Sequence, residues 1–148
     1  MTKNLLMSTA LLFAGAALAE KALVEPVNKN RSGIAVEGYD VVAYFTQSAP
    51  VKGDAKFTAN WQGATWRFSS EQNRNLFQAK PEQYAPQYGG YCAWAVGHGY
   101  TAEIDPNAWK IIDGKLYLNY SKSVQSKWQP EAWKWISEAN RNWPGLHK

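Results

Sequence analysis

Cysteine is nearly absent from this chain. Cys92 is the only one in 148 residues, so no disulfide forms within the chain and the fold stands on packing. Long apolar runs are also lacking. The longest, Leu5 to Leu18, is uncharged but shorter than the roughly 18–20 residues that span a bilayer, and no later stretch approaches it. Charge of one sign is not concentrated anywhere. The formal net charge of +4 comes from scattered side chains without a Lys/Arg run, which argues against a nucleic-acid or polybasic membrane partner. Histidine is scarce too, only His98 and His147. No P-loop, dinucleotide glycine pattern, i,i+4 zinc pair or Ser-His-Asp order occurs, so none of those site classes has support.

What is present begins with an export leader. Lys3 supplies a positive start, Leu5 to Leu18 an apolar middle, and Ala17-Leu18-Ala19 the small-x-small pattern of a cleavage site. Residues 1–19 are therefore expected to be a signal peptide cut between Ala19 and Glu20, giving a periplasmic or secreted product. Glu20 is not a cysteine, so the usual lipid attachment is missing and no membrane anchor is expected after cleavage. In that oxidising compartment an unpaired thiol is an intermolecular partner, a reactive group, a metal ligand or a buried bystander.

Residues 20–33 are polar and read as a flexible lead-in, with the domain itself over residues 34–145. Asp40 is placed to cap a short helix from Val41 to Phe45. Phe57, Ala59 and Trp61 alternate, Gln62-Gly63 turns the chain, and Trp66 and Phe68 alternate back. Ser69, with Gln72 three residues on, predicts a capping box for a helix that Lys80-Pro81 ends. Gly89-Gly90 leads into a short helix from Tyr91 to Val96. Asp105-Pro106 reads as a turn, and Asp113-Gly114 joins a second hairpin in which Leu116, Leu118 and Tyr120 share a face. Val124 and Trp128 mark another helix. Ala132, Trp135, Ile136, Ala139 and Trp143 form a stripe at helical spacing on the last one. The expectation is a small single α+β domain: two β-hairpins packed with short helices and a C-terminal amphipathic helix.

Four segments then carry a resemblance. They are Tyr39 to Phe45, Trp66 to Ser70, Gly89 to Val96 and Asp113 to Tyr120; together they resemble the exported YHS-domain proteins of bacteria. The resemblance implies a small α+β domain linked to metals, without an established reaction. Metal-associated YHS domains carry an aromatic-x-Phe-Cys-Ser-x-x-Cys-x-x-x-Phe stretch followed by Pro and Tyr. Here the frame survives as Trp66, Phe68, Ser70, Phe77, Pro81 and Tyr84, but the two cysteine positions hold Ser69 and Asn73. Hydroxyl and amide are poor soft-metal ligands beside thiolate. Some exported relatives are selenoproteins, and Cys92 is the place where selenium would stand in them.

Cys92 follows two glycines near a helix start, where unpaired N–H groups favour a thiolate. His98 sits between Gly97 and Gly99, where a broken helix would let it return toward the sulfur. Asp40 is a cap by default and a candidate ligand beside them. Asp105 is most simply a turn former, and His147, next to the C-terminus, is expected to be disordered. The leading expectation is a small periplasmic binding protein that holds copper, another soft transition metal or a metal-bearing cofactor through Cys92, His98 and Asp40. A periplasmic protein partner would complete so open a site. Two alternatives stay open: a thiol-redox protein using Cys92, and an aromatic module for sugars or peptides on Trp61, Trp66, Trp94 or Trp109.

Overall fold

The computed structural model describes residues 22–148. The expected leader, residues 1–19, lies outside the described residues. The elements run α1 (Ala43–Thr46), β1 (Asp54–Trp61), β2 (Ala64–Phe68), α2 (Glu71–Ala79), α3 (Pro81–Tyr84), α4 (Ala93–Gly97), β3 (Asp105–Ile112), β4 (Lys115–Asn119), α5 (Lys122–Trp128) and α6 (Ala132–Asn142). Two antiparallel hairpins, β1-β2 and β3-β4, make separate two-stranded sheets, and the short helices pack around them. This is a small α+β domain. No helix among the described residues is long and apolar enough to cross a membrane.

Both hairpins turn where the sequence predicts. Gln62-Gly63 and Asp113-Gly114 each take positive φ at both positions, 52° and 74° in the first, 51° and 73° in the second. That is the pair of left-handed residues a tight two-residue hairpin requires. The register of β3 is irregular between Asp105 and Trp109. Asp105-Pro106, expected as a turn, instead opens β3: Asp105 pairs with Asn119, and the irregularity lets a strand carry Pro106.

Strand β4 is buried on both faces. Leu116 and Leu118 enter one apolar cluster with Val41, Trp66, Phe68, Phe77 and Cys92. Tyr117, between them, enters a second cluster with Tyr88, Val96, Trp128 and Ala139. The period-two alternation of a strand divides Leu116 and Leu118 from Tyr117. The α6 stripe contributes Ala132 and Ala139 to the second cluster, with Trp135, Ile136 and Trp143 packed against it.

The stretch read as a flexible lead-in packs onto the domain. Val27 and Asn28 are buried, the Asn28 N–H donates to Gly89 O at 2.8 Å, and its side-chain amide donates to Gly90 O at 3.2 Å. Gly89 makes the approach possible. It has φ +62°, and a Cβ there would lie 2.0 Å from Pro26 O. The chain end closes the same side: Val24 bridges to His147, whose ring stacks on Trp143 at 4.3 Å. His147 is therefore docked, because a half-buried tryptophan face next to it offers a stacking partner.

Candidate functional site

Three arrangements hold the residues singled out from sequence, and they are separate.

The first is built on Asp40. This side chain is fully buried, and its two oxygens receive five hydrogen bonds. Oδ1 accepts from the backbone N–H groups of Val42 (2.9 Å) and Ala43 (3.1 Å), so Asp40 holds the turn that leads into α1, whose N-cap position is Val42 and whose start is two residues later than expected. Oδ2 accepts from Ser69 N–H (2.8 Å), Ser69 Oγ–H (2.6 Å) and Asn73 Nδ2 (2.8 Å). Ser69 is thus not the cap of α2. Ser70 takes that place, its hydroxyl accepting from Asn73 N–H at 3.1 Å. Two adjacent serines both offer a capping hydroxyl, and the buried carboxylate draws the first one away, since a hydrogen bond to a charged group is the stronger.

The second arrangement surrounds Cys92, the residue preceding α4. Its side chain is 1% exposed. Its Sγ accepts from the Tyr120 N–H at 3.2 Å, and its thiol donates to Asn119 Oδ1 at 3.6 Å. Asn119, also fully buried, uses the same oxygen to accept from Trp94 N–H at 3.0 Å, which fixes its amide orientation. Cys92 borders a cavity of about 240 Å³ also lined by Trp94, Ala95, Tyr100, Ala102, Tyr120 and Val124. Tyr100 and Tyr120 are exposed, at 46% and 58%. Burial pushes the thiol pKa up, against the lowering influence of the backbone N–H groups of Ala95, Tyr120 and Trp94. The helix-start argument from sequence therefore identifies real donors, but desolvation outweighs them. The resting group is a neutral thiol.

His98 makes the third arrangement. Gly97 ends α4 as expected, yet the ring does not turn to the sulfur. It lies between Trp94 and Trp135, 4.2 Å from each ring centroid, with Nδ1 2.7 Å from Trp94 O. A carbonyl only accepts, so Nδ1 carries a proton. Gly97 lets α6 approach: a Cβ there would sit 3.1 Å from Trp135 O. Among the described residues no group of three or more His, Cys, Asp or Glu is placed to hold a metal ion. The structure does not assemble Cys92, His98 and Asp40 into one centre.

The tryptophans named as platforms are occupied by other rings. Trp66 is fully buried against Trp61 and Phe77, Trp94 meets Trp135, and Trp109 meets Tyr44. None of the four is exposed.

Residues 42–88 match the family model of the YHS domain. That segment is similar to a YHS domain, and it makes up about a third of the chain. The match runs from the start of α1 to Tyr88, so it includes Ser69 and Asn73 but stops short of Cys92 and His98. The YHS domain is a family associated with metal binding. No curated protein and no solved structure matches the chain.

The residues of the matched segment do not fit a metal at the motif positions Ser69 and Asn73. Ser69 Oγ and Asn73 Nδ2 both act as donors to one carboxylate oxygen, and an amide nitrogen offers no lone pair to a cation. The donor that fits a soft ion is the thiol of Cys92, four residues beyond the family match. Sequence reasoning missed Asn119 and Tyr120 as its neighbours. Both are 27–28 positions away, and only the pairing of α4 with the end of β4 brings them in.

Proposed function

We propose that this protein is a small periplasmic or secreted binding protein that takes up a soft transition-metal ion, of which Cu(I) is the type, through the thiolate of Cys92. The observation that carries the reading is the placement of that sulfur. It is the only soft donor beyond Met7, it is held by the Tyr120 N–H, and it borders an aromatic-walled cavity. The metal association of the YHS family supports the ligand class. The leader-like sequence of residues 1–19 supports the location.

In this reading each part of the site has a task. Metal binding replaces the thiol proton, so the neutral thiol keeps the free protein unreactive until a strong soft Lewis acid arrives. The Tyr120 N–H holds one sulfur lone pair and leaves another for the ion. Tyr100 and Tyr120 line the cavity with polarisable rings, a setting that favours a weakly hydrated cation over Mg(II) or Ca(II). One thiolate is a low-coordinate site, and a partner chain docking over the exposed Tyr100 and Tyr120 would supply the remaining ligand.

A redox role draws less support from the same geometry. A thiol whose pKa is raised by burial has a smaller thiolate fraction and reacts slowly. Anaerobic titration with Cu(I) against a chromophoric chelator tests the proposal. It predicts one equivalent bound by the wild-type chain and none by Cys92→Ser; retention by the variant contradicts it.

A further inference from the structure

The YHS motif of this chain holds a buried carboxylate at the point where its two motif positions meet. We infer that Asp40 takes the place of a metal ion between Ser69 and Asn73, and that the motif here is a metal-independent structural knot.

Convergence is the first argument. Ser69 and Asn73 stand at the positions where metal-associated YHS domains carry cysteine, and both aim a side-chain donor at the same atom, Asp40 Oδ2, at 2.6 and 2.8 Å. Saturation is the second. A carboxylate offers about four lone-pair sites, and the two oxygens of Asp40 receive five donors. Orientation is the third. With a carboxylate as its neighbour, Asn73 must turn its amine inward, because its carbonyl oxygen there would face another negative oxygen. That turns the one potential ligand atom of Asn73 away from the centre.

Burial completes the case. Asp40 is 0% and Asn73 6% exposed, and Val41, Val42 and Phe68 beside them are fully buried, with Ser69 the one partly exposed member of the knot. The knot joins three pieces of chain. The entry to α1 is held through Val42 and Ala43, the end of β2 through Ser69, and the first turn of α2 through Asn73. All five donors are neutral groups, three backbone N–H groups and the side chains of Ser69 and Asn73.

The test uses the full chain carrying Cys92→Ser, which removes the proposed soft-metal ligand and keeps the outcome independent of that reading. Co(II) and Zn(II) are offered by equilibrium dialysis, and unfolding in urea is followed with and without EDTA. The inference predicts no retained equivalent and unfolding that EDTA does not move. In the same background Ser69→Ala lowers the folding equilibrium constant by roughly tenfold or more, the worth of a hydrogen bond to a charged group, without changing metal content. One retained equivalent that Ser69→Ala or Asp40→Asn releases would overturn it. So would Ser69→Ala unfolding at the same urea concentration as its Cys92→Ser parent. Should Asp40→Asn fail to fold, Ser69→Ala decides both points.

Discussion

The backbone N–H of Tyr120 donates to the sulfur of Cys92 at 3.2 Å, across 28 positions of chain. This bond places the one thiol of the protein at the junction of α4 and β4, on the wall of the aromatic cavity. The motif positions Ser69 and Asn73 serve a buried carboxylate, and the soft donor stands outside the matched segment.

The first prediction concerns pH. Burial raises the thiol pKa of Cys92, so the proton must leave before a metal bonds to sulfur. Below that pKa, each unit of falling pH should weaken Cu(I) binding by about tenfold, because one proton is displaced per ion. Competition titrations at three pH values across the neutral range measure the slope. A flat profile would show that no thiol proton is released.

Reactivity of the free thiol follows from the same cause. In the native protein Cys92 should react with a disulfide reagent roughly tenfold or more slowly than free cysteine at slightly alkaline pH, through burial and a small thiolate fraction. In denaturant the two rates should coincide. Native reaction faster than free cysteine would favour the redox reading.

Gly89 is predicted to anchor the N-terminal segment. Gly89→Ala puts a methyl group against Pro26 O and a side chain on a residue with φ +62°. Either the segment lifts or the turn distorts, at a cost of about 2 kcal/mol or more. Urea unfolding gives the stability loss, and amide exchange at Asn28, whose N–H donates to Gly89 O, gives its location. Unchanged exchange at Asn28 would contradict the anchoring role.

Much of the architecture is legible locally, and the site much less so. Gln62-Gly63 and Asp113-Gly114 announce their hairpins because a tight turn demands particular residues at fixed offsets. The α6 stripe is equally local. Ser69 illustrates the limit. Its neighbours in sequence suggest a capping box, but its partner is Asp40, 29 residues earlier, and no local pattern encodes that. Cys92 shows the same limit from the other side. The helix start is readable, whereas the cavity and the raised pKa depend on Tyr100, Ala102, Tyr120 and Val124 arriving from elsewhere. His98 is drawn to the rings of Trp94 and Trp135, and spacing along one helix says nothing about the second of these.

X-ray absorption at the copper edge of the Cu(I)-loaded chain tests the central claim most directly, because Cys92 carries the only sulfur beyond Met7. The account predicts a copper–sulfur scattering path in the wild-type protein, and no retained copper to give a spectrum in Cys92→Ser. A spectrum with nitrogen or oxygen neighbours alone in the wild type would contradict it.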